Sequence, residues 1–161
     1  MATLSVKITE KITLNGKDRG GEIDLEVTGV SQTMHRIVST PADGGGAATQ
    51  TTIANFRTAV TSSDSTLDDD DVRYIRVTNL DTSNDITLSL QLAADGASDA
   101  STTASVALQA GNSFILSKAV GVAAVDDDSA TAVTSLVDLE SIIAVNDNNA
   151  DVDVEVFVAS A

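Results

Sequence analysis

The chain has 161 residues, a formal net charge of −15 and no cysteine. That length fits one domain with a core large enough to stand without staples, and the lack of thiols excludes a disulfide framework and any thiolate metal site. Acidic residues outnumber basic ones 24 to 9, a field that repels phosphates and excludes nucleic acid as an expected partner.

The opening MATLSVKITEK lacks the apolar core of a secretory signal, and no run of about 18 apolar residues predicts a membrane span. Among the acids only Glu10, Glu22, Glu26, Glu140 and Glu155 are glutamate; the rest are aspartate, which favours turns over helix interiors. The aromatic residues are Phe56, Tyr74, Phe114 and Phe157, so the core must come from Val, Ile, Leu and Ala.

A period of two dominates. TLSVKITEK places Leu4, Val6 and Ile8 on one face, and EIDLEVT does the same with Ile23, Leu25 and Val27. Between them Asn15-Gly16 signals a hairpin, with KDRGGE lengthening the connection beyond a two-residue turn. STPADGGGAATQ, residues 39–50, reads as a flexible loop or hinge, and QTTIANFRTAV spaces Ile53, Phe56 and Val60 as a short helix near residues 51–60. DVRYIRVTN and ITLSLQL, joined by LDTSND, read as a second hairpin, with Ile86, Leu88, Leu90 and Leu92 inward. Residues 94–105 and 119–135 are rich in small residues and read as loops, while Ala110-Gly111-Asn112 separates two short strands.

In SLVDLESIIAV, Leu136, Leu139 and Ile143 also suit a helix, but the β-branched Ile142, Ile143 and Val145 favour a strand for its second half. That strand, NDNNAD and DVDVEVFVAS read as a terminal hairpin, with Val152, Val154, Val156 and Val158 inward. Phe157 falls on the outward face and points to a partner or a second layer. Strands about every 10 residues, parted by turn residues, predict an all-β sandwich of about eight to ten strands, jelly-roll-like, over residues 1–161.

Candidate sites are few. Asp68, Asp69, Asp70 and Asp71 offer oxygens for calcium, but adjacent residues of an extended chain point to opposite faces; the run reads as a solvated turn that discourages edge pairing. Asp126 to Asp128 read the same way. Asp147, Asn149 and Asp151 have the spacing of an EF-hand start, yet Val152 stands where glycine is required and Val158 where glutamate is; an Asn/Asp-rich turn explains the letters. His35, the single histidine, cannot anchor a zinc site without Cys or a second His, and no nucleophile elbow frames a serine for it. Gly44-Gly45-Gly46 lacks the Lys-Ser/Thr of a phosphate loop. Arg57, Arg73 and Arg76 are expected to pair with the chain's own carboxylates more than with a partner's. The expectation is no catalytic residue, no cofactor and no metal.

The stretches DVRYIRVTNLDTSNDITLSLQL, SVALQAGNSFILS and DLESIIAVNDNNADVDVEVFVASA, with the opening MATLSVKITEKITLNG, resemble small virion proteins of tailed bacteriophages, especially marine podophages. The resemblance implies a capsid decoration or cement protein, located in the virion after synthesis in the host cytoplasm. Its implied partners are the major capsid protein or another virion protein, and copies of itself, most often as a trimer. Residues 1–50 would then serve partly as an arm onto a neighbour's sheet edge. The alternative is a tail-fibre or surface adhesin module that binds a receptor or glycan through Tyr74 or Phe157.

Overall fold

A computed structural model describes residues 1–57, 66–93, 102–124 and 136–161. The chain is all-β. Its first four strands are β1 (Ala2–Thr9), β2 (Thr13–Leu14), β3 (Lys17–Asp18) and β4 (Glu22–Val30). Then follow β5 (Gln32–Thr40), β6 (Thr49–Arg57), β7 (Thr66–Asp68), β8 (Val72–Asn79) and β9 (Ile86–Leu92). The last are β10 (Thr102–Leu108), β11 (Ser113–Leu116), β12 (Leu139–Asn146) and β13 (Val152–Ser160). These make thirteen strands among the described residues, more than the expected eight to ten.

The strands form two main sheets, β10-β9-β12-β6-β7 and β11-β8-β13-β5. Among the described residues only the β6–β7 contact is parallel. Within the eight strands β5, β6 and β8 to β13, the first pairs with the last and the second with the seventh; the third pairs with the sixth and the fourth with the fifth. The doubled ribbon is rolled so that β13 also meets β8 and β12 meets β9. This is the strand order of a jelly roll. The surplus over eight comes from β7, which extends one edge, and from β1 to β4.

Alternation decides the core. β9 buries Ile86, Leu88, Leu90 and Leu92, and β13 buries Val152, Val154, Val156 and Val158. Both sets join one cluster with Ile75, Val77, Leu139 and Ile142. Inward side chains of two facing sheets therefore make a single aliphatic interior, as a sandwich requires.

Several expectations are corrected. β8 and β9 lie in different sheets, so residues 80–85 carry the chain across the sandwich and are no hairpin. The same holds for β12 and β13 across residues 147–151, and β10 and β11 also part at Ala110-Gly111-Asn112. In a jelly roll most partners are distant in sequence, and a short turn rich in Asn and Asp serves a crossover as well as a hairpin. The short helix near 51–60 is replaced over residues 51–57 by β6; residues 58–60 lie outside the described residues. Its helical spacing has a local cause. Thr52 pairs with Ile143 and Ala54 with Ile142, leaving Ile53 as the extra residue of a β-bulge. The bulge shifts the phase, so Ile53, Ala54 and Phe56 are all buried. The loop read over residues 94–105 gives way to β10 from Thr102 onward, and residues 94–101 lie outside the described residues.

Asn15-Gly16 does form a hairpin. Both residues have positive φ, 53° and 74°, as the tightest hairpin turn demands. β2 and β3 pair directly beside it, and β1 pairs with β4 farther down. The KDRGGE insertion is absorbed between these ladders, where a Cβ on Gly20 would lie 1.9 Å from the Glu10 carbonyl oxygen. Only glycine fits that approach. β5 belongs fully to the sandwich, so the part that stands apart from it is residues 1–30.

Candidate functional site: the hairpin and the sheet face beneath it

The hairpin is an amphipathic ribbon. Leu4 faces Val27, Val6 faces Leu25 and Ile8 faces Ile23 across the ladder. The other face pairs Ser5 with Glu26, Lys7 with Asp24 and Thr9 with Glu22, and Lys7 Nζ lies 2.6 Å from the Glu22 carboxylate. The base of the apolar face packs on the outer side of the four-stranded sheet. There Leu4, Val6 and Val27 meet Tyr74, Phe157 and Ala159, beside the buried Val30. The second layer that Phe157 called for is thus supplied by the chain itself.

Beside this contact lies a small polar network. His35 Nε2 is 2.8 Å from one Glu155 oxygen, and Arg76 Nη2 is 2.7 Å from the other. Arg76 also donates to the Thr78 hydroxyl, 3.1 Å away, which in turn lies 2.8 Å from the Ser113 hydroxyl. The hydrogen bond with His35 holds the Glu155 carboxyl below its ordinary range; partial burial opposes it, and the Arg76 charge adds to it. The Phe157 ring meets His35 and Tyr74 edge-on, at centroid distances of 6.0 and 6.1 Å. Burial beneath the hairpin raises the Tyr74 phenol, and Arg76 partly offsets that rise. Arg76 thus pairs with the chain's own acid as expected. Arg73 instead donates to the backbone carbonyls of Asp70 and Val72.

The aspartate run at 68–71 is a turn, as expected, but its residues are not splayed as on an extended strand. Asp68, Asp69 and Asp70 each bring a carboxylate oxygen within 4.8 Å of the others. Two of these carboxylates cap the turn, because the Asp70 N–H lies 3.1 Å from Asp68 Oδ1 and 3.0 Å from Asp69 Oδ1. Asp69 is buried, so the run is only in part a solvated one. Asp126 to Asp128 lie outside the described residues.

The NDNNAD stretch has a structural task that sequence reasoning missed. Asn146 is fully buried and donates from Nδ2 to the carbonyls of Thr40, Pro41 and Ala150 at 2.9–3.0 Å. Its Oδ1 accepts from the Asn148 backbone at 3.0 Å. Asn79 repeats the device at the end of β8: also fully buried, it donates to Asn84 and Leu108 and accepts from the Asp81 N–H. Asp81 in turn accepts from the backbones of Ser83 and Asn84, bonds that lower its carboxyl. A signal existed: each asparagine continues the inward phase of its strand, after Ile75 and Val77 or after Ile142 and Ala144. The glycines at 44–46 sit in the corner between β5 and β6. That corner is fastened rather than free, since Asp43 N–H bonds to Asn148 O at 3.0 Å and Ala42 N–H to Asp151 Oδ1 at 2.8 Å.

Together the fold and this surface define an acidic jelly-roll protein with an amphipathic hairpin laid across one sheet. Comparison with protein-family models, curated proteins and solved structures returned no match. No helix among the described residues is long and apolar enough to cross a membrane.

Proposed function

We propose that this chain is a virion structural protein of a tailed bacteriophage, a decoration or cement protein that binds the outer shell and stabilises it. The observation that carries the reading is the hairpin. Residues 1–30 stand outside the rolled core and present aliphatic side chains, among them Ile12, Leu14, Ile23 and Leu25, to solvent. A stable body with a projecting adhesive ribbon suits a protein whose task is contact with a large assembly. The sequence resemblance to podophage virion proteins supports the same reading, with the major capsid protein as the partner and a homo-oligomer as the bound form.

The test is copy number in purified particles of the encoding phage by quantitative mass spectrometry. Hundreds of copies per particle are expected for a shell component; about six to eighteen would place the protein in the tail. Deletion of residues 2–12 is expected to abolish particle binding while leaving the sandwich folded, and undiminished binding would count against the arm. A glycan-binding role has less to work with. Sugar sites use exposed aromatic faces, whereas Tyr74 is 3% exposed and Phe157 packs under the hairpin.

A further inference from the structure

The apolar stripe of the hairpin is covered only at its base. Leu4, Val6 and Val27 pack on the sheet, but farther out Ile8, Leu25 and Ile23 are 40%, 41% and 59% exposed. Ile12 and Leu14, nearer the tip, are 54% and 55% exposed. Ile8, Leu25 and Ile23 thus form an exposed apolar stripe on one face of the ladder, with Ile12 and Leu14 exposed farther along the chain. A two-stranded ribbon is also marginal in water unless a further layer covers its apolar face. The chain's own sheet supplies that layer for half of the stripe and leaves the other half without one.

Charge indicates what covers it. Residues 1–30 hold four of the nine basic residues, Lys7, Lys11, Lys17 and Arg19, and five of the twenty-four acids. The hairpin is therefore close to neutral, and the rest of the chain carries nearly all of the −15. Two copies repel each other body to body. They meet with least repulsion through the hairpins, whose projecting ends also hold the acidic bodies apart. The stripe suits its own copy: it is purely aliphatic and is backed by polar residues on the opposite face of the ribbon. Two such faces about a two-fold axis form a pair of layers about 10 Å apart, the usual spacing of packed sheets.

We propose that the uncovered half of this stripe, centred on Ile8, Ile23 and Leu25, is the contact between two copies of this chain, hairpin packed face to face on hairpin. The contact takes Ile23 and Leu25 out of the set offered to the shell and leaves Ile12 and Leu14, nearer the tip, for that partner; it pairs copies by two rather than by three.

Light scattering and analytical ultracentrifugation of the full chain test it over a range of concentrations and salt. A dimer is expected. Its dissociation constant should fall as salt rises, because screening weakens repulsion between the bodies and leaves the apolar contact intact. Changing Ile23→Lys together with Leu25→Lys should weaken pairing at least tenfold with an unchanged dichroism spectrum. The chain has no cysteine, so Ile23→Cys introduces a single thiol. Mild oxidation should trap it as a covalent dimer, whereas Ile37→Cys, 60% exposed on β5, should still pair but form no covalent link. A monomer at every concentration overturns the proposal, as does a trimer. So does a dimer indifferent to the paired lysines, or one that dissolves in salt, which would mark a charge contact between a basic tip and an acidic body.

Discussion

In β13, Val152, Val154, Val156 and Val158 are all fully buried; in the hairpin, residues of the same kind and spacing run from half-buried at Leu4 and Val6 to 59% exposed at Ile23. Both regions follow the same two-residue rhythm. What differs is the number of layers. β13 has a strand on either side and a second sheet across the core. The hairpin strands have one neighbour each, and a sheet face under only part of their length. Alternation thus makes an apolar face, and tertiary structure determines whether that face becomes a core or a contact surface.

The contrast is broken most strongly by truncating one aliphatic residue in each region. Leu88→Ala in the core should cost about 3 kcal/mol, through lost burial and a cavity. Leu25→Ala on the hairpin should cost under about 1 kcal/mol at concentrations where the chain is monomeric, since a half-exposed side chain has little burial to lose there. Urea unfolding followed by dichroism measures both. Equal losses would mean that the hairpin is an integral part of the core.

A smaller effect is expected at the crossover. Asn146→Ala leaves the carbonyls of Thr40, Pro41 and Ala150 without their donor inside a buried corner. A loss of about 2 kcal/mol follows, from unsatisfied groups that water cannot reach. Asn146→Asp, which keeps the shape and removes the donors, should be no better.

Gly20→Ala separates the two regions more finely. Its Cβ would collide with the Glu10 carbonyl, so the hairpin must open at residues 10–21. Protease cleavage there should accelerate, while the main unfolding transition moves by less than about 1 kcal/mol. A large shift in that transition would show that the hairpin and sandwich unfold together.

The smallest effect is that of acid. Glu155 and Asp81 both titrate below their ordinary values in the folded chain, the first mainly through its bond with His35 and the second through the Asn84 and Ser83 amides. As pH falls, the unfolded chain therefore takes up these protons first. The stabilisation is complete above the unfolded values of about 4 and is lost as pH drops through the lower folded ones. Asp81→Asn should flatten the acid limb of a stability–pH curve, and an unchanged limb would remove Asp81 from that account.

Much of the sandwich was legible before any coordinates. β9 and β13 show their inward residues in plain alternation, the β-branched Ile142, Ile143 and Val145 mark the second half of SLVDLESIIAV as strand, and Asn15-Gly16 marks a tight hairpin turn. The helix read into residues 51–60 failed because a bulge at Ile53 shifts the phase of β6 and mimics helical spacing. Hairpins at residues 80–85 and 147–151 failed because a turn sequence records that the chain reverses, not which sheet it enters. The surface was less legible still. Ile23 and Val154 look alike as letters; only the missing layer over Ile23 sets them apart.

The residues by themselves determined that this chain makes strands, which faces of those strands shun water, and that its charge rests almost wholly outside the first thirty residues. These are local properties, set by backbone preference, side-chain alternation and ionisation. The rolled pairing of first strand with last, the sealing of two crossovers by Asn79 and Asn146, and the uncovered half of the hairpin stripe were decided by tertiary structure alone. Each depends on which distant segment comes to lie opposite, and that follows from how the whole chain closes around one core.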